Sequence, residues 1–142
     1  MNRFILLLSF ILLNTLSFSQ ENDNITSAIQ IYCGEEISSS TVGANSDQEY
    51  LSNVGLSECG TTIDGAAGVW YAFVGTGEPI QLSMCESSYD TKLHLFQDDG
   101  FNLICIGGND DSDCESYLHS KLDFLSEQNY YYYIYVSGFG TN

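Results

Sequence analysis

The chain has 142 residues, 19 of them acidic against three basic, and a formal net charge of −16. A field of that sign excludes nucleic acid as a partner, because phosphate binding needs a basic surface; it leaves solubility in an extracellular medium or divalent-cation binding as its meaning. The length excludes a second domain, since roughly 120 residues follow the leader described next, enough for a single core.

Met1-Asn2-Arg3 followed by the apolar run Phe4–Leu13 and the small residues of Ser17-Phe18-Ser19 read as a secretory signal peptide over 1–19. The mature chain is then expected to start near Gln20. The run is shorter than the roughly 20 residues a membrane-spanning helix needs, and no comparable run follows it. These features place the protein outside the cell or on its surface, with no span after cleavage.

Ser27–Gly34 predicts a first short strand and Glu36–Gly43 a second, hydroxyl-rich edge strand. Asn24-Ile25-Thr26 is a glycosylation acceptor in a eukaryotic host. From Ala44 to Ala67 the apolar residues thin out, which predicts a long surface loop pinned by Cys59, either a stapled connector or a partner-binding loop. Gly68–Gly75 is strongly β-prone, with Val69, Tyr71 and Phe73 on one face, and Ile80–Cys85 alternates cleanly after the turn holding Pro79. A hairpin is predicted next. Leu93 and Leu95 alternate with Lys92 and His94, Leu103 and Cys105 with Asn102 and Ile104, and Gln97–Gly100 forms the turn. His94 is expected to face solvent, and His119 likewise. Tyr117–Leu125 predicts a further strand. In Tyr130–Gly138, Tyr132, Ile134 and Val136 are expected to face a core, while Tyr131, Tyr133 and Tyr135 face outward as a platform for sugar stacking or for ordinary cross-strand packing. About eight short strands at this spacing predict an antiparallel β-sandwich.

Five cysteines, Cys33, Cys59, Cys85, Cys105 and Cys114, lie in the exported part and read as disulfide staples with one thiol left over, the pairing being open. Zinc is not indicated, because no C-x-x-C pair occurs and His94 and His119 lack ligand spacing. The hairpin should instead gather carboxylates at one edge, Asp90 at one end and Asn109, Asp110, Asp111 and Asp113 at the other. Hard oxygen donors of this kind suit calcium, although the same residues also cap tight turns. An EF-hand is excluded, since Cys114 stands where that loop needs glycine and Ser120 where it needs glutamate. No G-x-S-x-G, no H-E-x-x-H and no phosphate-cradling glycine loop occurs, so no enzymatic reaction is indicated.

Four motifs in order, Gly68-Val69-Trp70-Tyr71-Ala72-Phe73, Tyr89-Asp90-Thr91-Lys92-Leu93, Gly108-Asn109-Asp110-Asp111 and Tyr132–Phe139, resemble the bacterial pre-peptidase C-terminal domain of secreted multidomain proteins of the Bacteroidota type. The similarity covers Asn22 to Thr141. It implies a jelly-roll-like sandwich, exported and non-catalytic, attached to neighbouring domains such as a peptidase, another hydrolase or adhesin modules, and in some relatives binding calcium at the sandwich edge. Such domains run into one more strand after Gly138-Phe139-Gly140, so the resemblance implies a fold short of its last strand, with Tyr131–Val136 beside an open edge. The functional expectation is an accessory module for binding or for secretion and folding. The alternatives are the leading part of a secreted peptidase or hydrolase, or a free-standing adhesin or carbohydrate-binding module that meets a protein or glycan through its last strand and the 44–67 loop.

Overall fold

The computed structural model describes residues 20–140, so the leader over 1–19 lies outside the described residues. The fold is an all-β, mainly antiparallel sandwich. Its strands are β1 (Ile29–Gln30), β2 (Glu58–Cys59), β3 (Thr61–Thr62), β4 (Gly68–Val74), β5 (Pro79–Ser83), β6 (Thr91–Asp98), β7 (Leu103–Asn109), β8 (Lys121–Leu125) and β9 (Tyr131–Gly138), with one short helix, α1 (Gln48–Asn53). The main sheet runs β1-β4-β9-β6-β7, and β5-β8 and β2-β3 form two-stranded ribbons. Among the described strands only β1 lies parallel to its neighbour.

Period-two alternation decides what each face of the main sheet buries. Val69, Tyr71 and Phe73 of β4, Leu93 and Leu95 of β6, and Tyr132, Ile134 and Val136 of β9 form one core. Ile80 and Leu82 of β5 and Leu122 and Phe124 of β8 close over it. Phe73 stacks on Tyr132 at 5.2 Å between ring centroids, and Phe124 meets both rings.

The opposite face is equally dry, contrary to the expectation of a surface loop. Residues 44–67 lay Leu51, Cys59 and Ile63 across Trp70, Phe96 and Tyr135, making a second core. A disulfide from Cys59 to Cys105 of β7 fixes this cover, and another joins Cys85 to Cys114. Cys33 is the exposed free thiol. The approach is close enough that only glycine fits: a Cβ on Gly108 would stand 2.0 Å from the Cys59 carbonyl oxygen, and one on Gly60 2.1 Å from the Gly108 nitrogen.

Several expectations change for physical reasons. The predicted strand over 36–43 does not form, because 32–40 are exposed throughout and offer no face to bury. The first strand shrinks to two residues beside β4. The hairpin forms with its tip at 99–102, and Ile106 is an extra residue where the register shifts opposite Leu95 and Phe96. Tyr131–Val136 lies at no edge, because β9 is the middle strand, hydrogen-bonded to β4 and β6.

His94, expected in solvent, is 0 % exposed because the 57–67 segment covers its face. Its Nδ1 lies 3.0 Å from the Cys59 carbonyl. A carbonyl only accepts, so Nδ1 carries the hydrogen and Nε2 is left as a buried acceptor without a partner among the described residues. Burial holds the imidazole pKa below its ordinary value; the Cys59 carbonyl opposes this and Lys92 adds to it. A folded pKa below the unfolded one, about 6.5, gives stability that is present above that pH and lost as pH falls. The melting temperature is therefore expected to drop as pH goes from about 7 to about 5. His94→Asn, which keeps a donor towards Cys59 and removes the titration, should flatten that limb; an unchanged slope in calorimetry would assign the acid sensitivity elsewhere.

Candidate functional site at the acidic edge

The hairpin does bring its two outer ends together. Asp90 precedes β6, and Asp110 and Asp111 follow β7, where Leu93 stands opposite Asn109. One carboxylate oxygen from each of Asp90, Asp110 and Asp111 lies within 4.8 Å of the others. Two ligands facing each other across a calcium ion, at about 2.3–2.6 Å from it, stand roughly 4.6–5.2 Å apart, so a group of this size fits one ion. A site of carboxylates without thiol or imidazole suits a hard cation rather than zinc or copper.

The framework around these carboxylates is well anchored. Asp90 O accepts from Phe139 N, and Thr91 N donates to Leu118 O. Thr91 Oγ1 lies 3.0 Å from Ser120 Oγ and accepts from Ser120 N at 2.9 Å, both side chains being buried. The Cys85–Cys114 bridge ties the segment after Asp111 to the end of β5. Within that frame, Oδ1 of Asp90 and Oδ1 of Asp110 are buried and accept no hydrogen bond among the described residues. An unpaired buried carboxylate oxygen is costly, and a cation would satisfy both.

Lys92 supplies part of the compensation. Its side chain is buried, with Nζ 2.9 Å from Asp64 and 3.5 Å from Asp110. It also donates to Thr62 O at 3.0 Å and sits over the Phe139 ring at 5.1 Å. Three carboxylates and Asp64 against one ammonium leave the edge anionic. Burial raises the Asp110 pKa; Lys92 opposes that, and Asp111 and Asp90 add to it.

Two of the five expected ligands are engaged elsewhere. Asn109 ends β7, and its Oδ1 accepts from Lys121 N of β8 at 3.0 Å. Asp113 pairs with Lys121 Nζ, which draws its pKa down. The every-second-residue spacing from Asn109 to Asp113 therefore does not define the group; the adjacent pair Asp110-Asp111 does. Lys92 and Asp64 were missed as neighbours. The only sequence cue was a lone lysine inside a β-prone run of an acidic chain.

The tyrosines of β9 divide. Tyr131 is exposed and Tyr133 half-buried, but Tyr135, expected to face outward, is 0 % exposed. Its ring packs at a tilt against Trp70, 4.8 Å between centroids, and its hydroxyl accepts from Asp47 N at 3.2 Å and donates to Ala66 O at 3.4 Å. Burial pushes its pKa up to about 12. It cannot touch a ligand, because the 44–67 segment lies over that part of the sheet.

Among the described residues no helix is long and apolar enough to cross a membrane, and the two disulfides suit an oxidising compartment. In comparisons with known proteins the chain matches no family model, no curated protein and no solved structure. The likeness to the pre-peptidase C-terminal domain rests on its four motifs alone.

Proposed function

We propose that the protein is an exported, non-catalytic β-sandwich accessory module whose acidic edge takes calcium, used for binding or folding support beside other extracellular domains. The observation that carries the calcium part is the pair of buried oxygens on Asp90 and Asp110 that accept no hydrogen bond among the described residues, within one group with Asp111. Three carboxylates supply up to six oxygens, and backbone carbonyls or waters complete the six to eight that calcium prefers. The extracellular setting is supported by the leader-like start, the two disulfides and the net charge of −16.

Bound calcium would join the β6 and β7 ends of the hairpin and stabilise the folded state by mass action. The melting temperature is expected to rise in millimolar calcium and to fall in chelator, by about 10 °C if calcium is present at about 100 times its dissociation constant. Asp111→Ala should abolish the difference while leaving the metal-free melt close to that of the parent, since Asp111 is exposed. Identical melts of the parent with calcium and with chelator would sink the calcium reading.

A further inference from the structure

The cover over the second core stops short of the β6–β7 turn. Between the 25–27 turn, α1 and that hairpin tip lies a cleft of about 360 Å³, near the lower end of the roughly 300–1,000 Å³ of small-molecule sites. Three aromatic rings from three separate segments reach it: Tyr50 of α1, Phe101 of the hairpin tip and Tyr133 of β9. Phe101 is 93 % exposed, and Tyr50 is also exposed. Asp98 and Asn102 line the same cleft.

We propose that this cleft binds one ring of a neutral saccharide. A sugar ring has two faces of C–H groups and a rim of hydroxyls that donate and accept. Exposed aromatic rings match the faces, and planar carboxylate and amide side chains match the rim. Asp98 accepts from Gly100 N at 2.7 Å through Oδ1, so the carboxylate is held in place while Oδ2 can take a sugar hydroxyl. Burial raises the Tyr133 pKa, with Asp98 adding to it, and the phenol remains a donor.

The charge of the site selects among sugars. Among the described residues no basic side chain lines the cleft, and the chain carries −16 overall, so uronic acids and sulfated glycans are repelled. An organic cation is favoured less than a sugar, because that same field surrounds the whole molecule and does not single out this cleft. A cation cage also needs rings converging on one point, whereas no ring contact joins Tyr50, Phe101 and Tyr133 among the described residues. The inference goes beyond the accessory-module reading and uses none of the calcium residues.

The test is a titration of isotope-labelled protein followed by NMR. The probes are methyl glucoside, methyl galactoside, methyl mannoside, N-acetylglucosamine and neutral oligosaccharides of glucose, mannose and xylose, with glucuronic acid and choline as counter-probes. At least one neutral sugar is expected to give saturable shifts at the amides of 98–102 and 133. Phe101→Ala, which removes an exposed ring and so leaves the fold intact, and Asp98→Asn, which keeps an oxygen for Gly100 N, should each weaken binding about tenfold. Asp111→Ala should leave it unchanged, which keeps this result separate from the calcium experiment. Shifts with no neutral sugar, equal binding of glucuronic acid, saturation by choline alone, or full affinity in both Phe101→Ala and Asp98→Asn would each overturn the proposal.

Discussion

Replacing Cys59 and Cys105 together by alanine is expected to cost about 4 kcal/mol of stability. The bridge closes a loop with a sequence separation of 46 residues, and the chain-entropy relation assigns a loop of that size roughly 4 kcal/mol at 25 °C. The same relation gives the Cys85–Cys114 bridge, with a separation of 29, only a few tenths of a kcal/mol less. Loop entropy alone therefore predicts nearly equal losses for the two double variants. Cys59, however, is buried in the second core among Leu51, Ile63, Trp70, Phe96 and Tyr135, and its backbone touches Gly108. Opening that bridge also releases the cover over the sheet. Urea denaturation of both double variants should show the larger loss at Cys59–Cys105; equal losses would mean that the cover holds without its staple.

Trp70→Ala should be comparably severe, at about 3–5 kcal/mol. The indole is fully buried between Phe96 and Tyr135, with centroids at 6.0 and 4.8 Å. Its Nε1 donates to Asp47, and the backbone of Trp70 exchanges hydrogen bonds with Asn22 on both its nitrogen and its oxygen. Truncation leaves a cavity in the second core and an Asp47 carboxylate, already pushed up by burial, without its donor. Against a total of about 5–15 kcal/mol for an ordinary domain, such a loss is a large share. Trp70→Phe keeps most of the volume and should cost clearly less. Thermal unfolding by circular dichroism measures both, and in the parent the fluorescence of this single tryptophan reports the same transition.

Where the alternation is strict, the reading from sequence and the structure agree. Val69, Tyr71 and Phe73 share a face, as do Tyr132, Ile134 and Val136, and the 88–114 hairpin brings Asp90 to Asp110. The second core was not legible. Leu51, Ile63 and Ala66 are isolated apolar residues in a polar stretch, and six residues of helix carry too little periodicity to register. Missing that layer caused the errors at His94 and Tyr135, since a polar or aromatic residue at every second position reads as solvent-facing until something is known to cover it. The choice of Asp110-Asp111 over the alternating Asn109 and Asp113 depended on where β7 ends. The engagement of Lys121 with both rejected residues comes from β8, 12 and 8 positions away, which no local pattern encodes.

The strand order of the main sheet has a consequence for how the chain acquires its fold. β9 is the last of the described strands and central in space, so the backbones of β4 and β6 are hydrogen-bonded to it and not to each other. Without Tyr131–Gly138, β4 and β6 each lack the neighbour to which they are hydrogen-bonded. Long-range pairing of this kind carries its loop-closure cost before any reward. Closure of the main sheet therefore waits for Tyr131–Gly138, which sits between the edges of β4 and β6.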